Sequence, residues 1–222
     1  MSLLDSTWIF PDRSTARHPA GRKAFFVGDL VDRGPDSPGV LRLAMGMVRD
    51  GTAACIPGNH ENKLWRALNG RNVLVSHGLA ETLAQLDAEP DEFRTEVATF
   101  IDSLMSHAVL DDGRCVVAHA GLPERFHNRS SGAVRSFALY GDTTGETDEF
   151  GLPVRYPWAN DYRGSAIVVR REWLMGGFLV GHLLVLSRTD SGALGAAVST
   201  LDACATPWGG ATSSRSFFTA AS

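Results

Sequence analysis

An α/β fold, with a mainly parallel or mixed sheet flanked by helices, is predicted by three features of this 222-residue chain. Short apolar runs suited to buried strands recur, each stopped by a glycine, alanine or proline: FFVG (25–28), ACIPG (54–58) and CVVA (115–118). Segments of helical periodicity lie between them, the alternation from which strand–helix–strand units are built. Each of the three runs also passes directly to side chains able to do chemistry: Asp29, Asn59 with His60, and His119.

Taken in order, Phe25, Phe26 and Val27 form the first strand. Gly28, Gly34 and Pro35 are breakers, so Asp29, Asp32 and Arg33 belong to a loop at the strand's C-terminal end. Open α/β sheets bind ligands at that end, although an acidic turn feeding a helix is an equal reading of the loop alone. Asp36 or Ser37 caps the next helix, with Pro38 in its first turn, Leu41, Met45 and Val48 as its apolar stripe, and Gly51 at its end. A short strand at Ala53 to Ile56 breaks at Pro57-Gly58. Asp91 to His107 reads as one amphipathic helix, its Phe93, Val97, Phe100, Ile101, Leu104 and Met105 facing the core. Residues 141–164 lack periodicity and read as a long surface excursion, before a last strand at Ala166 to Val169.

Composition narrows the function classes. A hydrophobic content of 44% with 21% charged residues is ordinary for a soluble globular protein. A net charge of -4 gives no general electrostatic reason to bind nucleic acid or anionic lipid. Three cysteines, an odd number, favour reduced thiols and a cytoplasmic setting. No apolar run reaches membrane-spanning length, and the first residues lack a signal-peptide core. The chain has no G-x-x-x-x-G-K-[ST] loop, which argues against a nucleotide kinase.

A histidine after a strand is more often structural than catalytic, so each strand end alone is weak. Three of them on parallel strands are expected to converge on one face of a sheet. Oxygen and imidazole ligands together suit Mn, Fe, Ni or Zn better than an all-oxygen Mg site. A carboxylate can bridge two such ions for in-line attack on phosphorus.

The blocks GDLVDRG (28–34), GNHE (58–61) and VVAHAGL (116–122) resemble the signatures of calcineurin-like metallophosphoesterases. The wider text HPAGRKAFFVGDLVDRGPDSPGVLRL, NVLVSHGLAETLAQL and LYGDTTGETDEFGLPVRYPWANDYRG is similar to the phosphatase module of bacterial polynucleotide kinase-phosphatases. The resemblance covers residues 18–169 and implies a phosphatase that hydrolyses a phosphate ester with metal-activated water, Mn being the first candidate ion. It implies that Asp29 bridges two metals and that Asn59 and His119 bind the second. His60 would protonate the leaving oxygen, Asp32 would orient His60, and Arg33 would grip phosphoryl oxygens. The partner is then a phosphorylated protein, a nucleotide or dinucleoside polyphosphate, or a nucleic-acid end, with no membrane.

Two departures from the family pattern set further expectations. No Asp-x-His pair precedes Asp29, and no Gly-His-Thr-Pro block follows Val169, where the chain reads RREWLMGGFLVGHLLV. His182 is a candidate replacement ligand. The expected organisation is a divergent segment 1–23, a metallophosphoesterase core 24–169, and a divergent segment 170–222, with both ends altered or truncated. A catalytically impaired remnant that only binds phosphate or a partner is the alternative to an active enzyme.

Overall fold

In chain order the elements are β1 (Lys23–Phe26), α1 (Ser37–Arg49), β2 (Ala53–Cys55), α2 (Asn59–Leu68), α3 (Leu79–Asp87) and α4 (Asp91–Ser103). They continue with β3 (His107–Leu110), β4 (Cys115–Ala118), α5 (Gly132–Tyr140), β5 (Thr143–Thr147), β6 (Pro153–Arg155), β7 (Ile167–Val169), β8 (His182–Arg188), β9 (Leu194–Thr200) and β10 (Ser216–Phe218). The computed structural model describes residues 8–149, 153–170, 182–188, 194–200 and 216–218, with side chains described up to residue 170. The chain divides into two compact units, Met1–Leu104 with Leu174–Ser222, and Met105–Trp173.

The first unit holds a five-stranded sheet in the order β10-β9-β8-β1-β2. β1 runs parallel to β2, pairing Ala24 with Ala53 and Phe26 with Cys55, while β8 lies antiparallel on the other side of β1. The sheet is therefore mixed, as the α/β reading allows. Parallel strands need a crossover, and α1 supplies it. The two loops that matter, 27–36 and 56–58, consequently leave the sheet from the same edge.

Local chemistry explains α1. The Asp36 side chain accepts the Gly39 N–H at 2.8 Å, Pro38 lies in the first turn, and Gly51 (φ 69°) follows the last turn in the left-handed region. Leu41, Ala44 and Met47 are buried, with Met45 and Val48 packed beside them. The core they enter includes Phe26, Leu30, Leu64, Leu79, Leu86, Val97 and Ile101. Burial of each large apolar side chain contributes roughly 1.5–3 kcal/mol before conformational entropy is subtracted.

α4 is shorter than its periodicity predicts. It ends at Ser103 because Leu104 turns to an extended conformation (φ -72°, ψ 130°), and His107 already opens β3. Met105 therefore leaves the apolar stripe and is 72% exposed, so it is not a core residue.

The second unit is built on a three-stranded sheet, β3-β4-β7, with β4 antiparallel to β3 and parallel to β7. Val134, Phe137 and Ala138 of α5 pack with Val116, Ala118, Leu122 and Trp158. The 141–164 stretch is less irregular than expected, because β5 and β6 pair as an antiparallel two-stranded sheet and Trp158 is buried edge-on against Phe137. Among the described residues β4 pairs with β3 and β7 alone. The expectation of one sheet carrying all three strand ends therefore does not hold: β1 and β2 share a sheet, and the strand preceding His119 belongs to another. Among the described residues no helix is long and apolar enough to cross a membrane.

Candidate active site

The GDLVDRG loop is held in a backbone conformation that its residues do not prefer. Gly28 (φ 84°) takes the left-handed region freely, but Asp29 (φ 56°), Asp32 (φ 72°) and Arg33 (φ 59°) occupy it as well. Non-glycine residues adopt such angles at a cost and keep them only where surrounding groups enforce them. Two buried side chains from distant elements do so here.

The first is Glu61, in the first turn of α2 and fully buried. Its Oε2 accepts the N–H of Asp29 at 2.8 Å and of Gly58 at 2.7 Å, and its Oε1 accepts the N–H of Leu30 at 2.6 Å. One carboxylate thereby ties the loop after β1 to the loop after β2. Burial and the Asp29 charge push the Glu61 carboxyl up to about 7, against the N–H donors of Gly58 and Asp29, which favour the ionised form.

The second is Thr82 on α3, also fully buried. Its hydroxyl donates to Asp32 Oδ1 at 2.7 Å and accepts the Asp32 N–H at 3.0 Å. One turn further along, Gln85 accepts the Ser37 N–H and donates to the Gly34 carbonyl.

The other oxygen of Asp32 meets His60. Oδ2 lies 2.5 Å from Nδ1, and both side chains are buried. An ionised carboxylate only accepts, so Nδ1 carries the shared proton and Nε2 is left as the free end of the ring. Burial alone would lower the basicity of His60; the Asp32 hydrogen bond and the charges of Asp29, Asp32 and Glu61 outweigh it and raise the imidazole above its ordinary value.

The remaining candidates fall as follows. Arg33 is exposed, next to Asp32 on the same loop. Asn59 is the first residue of α2, directly after the Gly58 cap that Glu61 secures. His119 follows β4 in the second unit and is 2% exposed. The turn after it is close-packed: the Gly121 N–H bonds to Ala118, and a Cβ on Gly121 would stand 2.1 Å from the Trp158 ring. His182 opens β8, and its side chain lies outside the described residues. His77, a histidine outside the three signature blocks and not a candidate ligand, is exposed at a left-handed position (φ 61°) with Nδ1 2.9 Å from Ser76 Oγ.

Among the described residues no three His, Cys, Asp or Glu side chains are grouped as a metal site. The donor types on the two tied loops, the carboxylate of Asp29 and the amide oxygen of Asn59, nevertheless suit a divalent ion that prefers oxygen and tolerates nitrogen.

Sequence reasoning misses Glu61, Thr82 and Gln85. Glu61 lies inside the GNHE block yet has no evident task there, and its only signal is an acid in the first turn of a helix. Thr82 and Gln85 carry no signal, because their partners are 45 to 51 residues away.

A model of the calcineurin-like phosphoesterase family matches residues 10–169. The chain belongs to that family. Among its curated relatives, the asymmetrical bis(5'-nucleosyl)-tetraphosphatase PrpE of Anoxybacillus flavithermus is 44% identical over 156 residues, covering 68% of this chain and 64% of the relative. That of Geobacillus thermodenitrificans is 44% identical over 162 residues, covering 71% and 66%. That of Halalkalibacterium halodurans is 43% identical over 173 residues, covering 76% and 70%. The chain thus spans just under two thirds of the length of the first two relatives. All three carry the tetraphosphatase name, so the expected likeness to the polynucleotide kinase-phosphatase branch is replaced by a likeness to nucleotide hydrolases.

Proposed function

We propose that this calcineurin-like phosphoesterase hydrolyses a nucleotide phosphate ester, a dinucleoside polyphosphate being the favoured substrate class. The observation that carries the reading is the buried contact of 2.5 Å between His60 Nδ1 and Asp32 Oδ2, one residue from an exposed arginine. The substrate class rests on the relatives' name.

In this reading His60 donates its Nε2 proton to the leaving oxygen, while Asp32 fixes the ring's tautomer and stabilises the imidazolium beforehand. Arg33 binds phosphoryl oxygens through its planar fork. Its left-handed backbone fixes the direction in which the side chain leaves the loop. Asp29 and Asn59 would hold a divalent transition metal, Mn first and Ni, Fe or Zn next, with His119 and His182 as the further candidate ligands. Such an ion supplies Lewis-acid polarisation of a phosphoryl oxygen and makes water a stronger nucleophile. The reduced state of Cys55 and Cys115 fits a cytoplasmic setting.

Hydrolysis of a bis(5'-nucleosyl) tetraphosphate with Mn tests this directly. His60→Ala is expected to lower kcat by about 10²–10⁴-fold, the usual weight of a general acid. Phosphate at RNA or DNA ends serves as the comparison arm of the test. Faster turnover of a 2',3'-cyclic phosphate end than of the dinucleotide would reassign the substrate. Phosphate binding without turnover of either would favour the impaired-remnant alternative.

A further inference from the structure

We propose that Thr82 is a positioning residue for the Asp32–His60 pair. It holds the carboxylate so that Oδ2 faces the imidazole, acting through Asp32 and not on substrate.

The inference follows from the hydrogen-bond capacity of one hydroxyl. A threonine Oγ1 offers one proton and two lone pairs. Here three polar groups surround it: Asp32 Oδ1 at 2.7 Å, the Asp32 N–H at 3.0 Å and Ser37 Oγ at 3.3 Å. Asp32 Oδ1 only accepts, so the Thr82 proton goes there. The Asp32 N–H takes one lone pair, and Ser37 must then be the donor to the other. Every capacity of the hydroxyl is used.

The arrangement is buried throughout, with Asp32, Ser37 and Thr82 at 1%, 2% and 0% exposure. Within one residue, Thr82 grips both the backbone and the carboxylate of Asp32. That closes the two rotations that would swing Oδ2 away from His60, and it secures the left-handed backbone at Asp32. α3 is pressed against the same loop from its N-terminus: a Cβ on Gly78 would lie 2.5 Å from the Arg33 nitrogen and 3.0 Å from Asp32 Cβ. The helix can approach so closely only because that position is glycine in the left-handed region (φ 96°).

Serine would make all three bonds. Valine, of similar shape, would make none and would leave Asp32 Oδ1, the Asp32 N–H and the Ser37 hydroxyl buried without the partner they have now, which is costly.

The proposal rests on the reading of Asp32 and His60 as a working pair, and its test separates the two. The proton held between His60 Nδ1 and Asp32 should give a far-downfield resonance in the histidine-labelled chain, assigned by its loss in His60→Ala. Thr82→Ser is expected to keep this resonance and the wild-type turnover of a bis(5'-nucleosyl) tetraphosphate. Thr82→Val is expected to move the resonance upfield or abolish it, and to lower kcat by roughly tenfold to a hundredfold with KM unchanged. Thr82→Ala provides a second hydroxyl-free variant should the valine not fold. An unaltered resonance in the hydroxyl-free variants, or a serine variant as impaired as the valine one, would overturn the proposal. Unchanged turnover in His60→Ala would remove the acid role of His60 and leave the positioning of Asp32 to be decided by the resonance alone.

Discussion

Glu61 Oε2 accepts the backbone N–H of Asp29 at 2.8 Å across 32 residues of sequence. The candidate metal carboxylate is thus positioned by a second carboxylate, which accepts the backbone N–H groups of Asp29, Leu30 and Gly58. Glu61→Gln tests how much depends on it. Glutamine has one acceptor oxygen where glutamate has two, so its NH₂ must face at least one of the three N–H donors of Asp29, Leu30 and Gly58. Loss of such a buried bond costs roughly 1–3 kcal/mol. Urea unfolding should show a reduction of that size without a change in m-value; an unchanged midpoint would mean that the two loops hold their geometry independently.

What the sequence makes legible here and what it hides have one physical cause. The resemblance of the GDLVDRG and GNHE blocks to the family implies that Asp32 pairs with His60, and the contact of 2.5 Å agrees, the crossover having brought both strand ends to one edge. The α1 boundaries are legible because Asp36, Pro38 and Gly51 act on their own neighbours. Thr82 is not, since a threonine within a helical pattern looks alike whether it faces solvent or a carboxylate 50 residues earlier. Nor can the apolar run Cys115–Ala118 announce its sheet. Its pattern establishes that it is a buried strand, while its pairing with His107–Leu110 and Ile167–Val169 is tertiary. Met105 misleads for a related reason: the helical period runs on past Ser103, where the backbone has already turned extended.

Gly46 reverses an ordinary rule. Glycine in a helix interior normally costs up to about 1 kcal/mol against alanine, so Gly46→Ala in α1 would usually stabilise. Here a Cβ would stand 1.8 Å from the Ser14 carbonyl oxygen, a backbone atom that cannot rotate aside. Overpacking of this kind costs about 1–3 kcal/mol. Thermal unfolding should therefore show a lower Tm for Gly46→Ala. A raised Tm would show that the 12–15 segment yields freely.

His107 gives the second unit a pH dependence of stated sign. Burial, with a smaller contribution from the charge of His127, holds the imidazole below its ordinary value of 6.5. The unfolded chain therefore binds the proton more readily than the folded one, and stability falls as pH drops through 6.5 toward the lower folded value. His107→Gln should flatten this part of the profile, followed by urea unfolding as a function of pH, with His127→Gln expected to have a smaller effect. An equally steep fall in His107→Gln would assign the dependence to another group.

Metal binding ties the loop geometry to the chemistry. Asp29 lies on the loop after β1 and Asn59 opens α2 directly after the loop that follows β2, and Glu61 clamps both loops, so the two donors should act together. Titration of Mn into the chain, followed by the loss of the free-ion paramagnetic signal, gives an affinity that needs no turnover. Asp29→Ala removes the charged donor and should weaken binding the most. Asn59→Ala should weaken it less, since an amide oxygen contributes no net charge to hold a cation. Glu61→Gln, which alters the backbone anchor of both segments, should also weaken binding by about 10–100-fold, the range seen when groups that orient metal ligands are altered. His119→Ala and His182→Ala then decide which further side chains contribute, each imidazole ligand lost appearing as a drop in affinity. Wild-type affinity in Asp29→Ala would place the ion elsewhere in the molecule and take the metal assignment of the whole GDLVDRG loop with it.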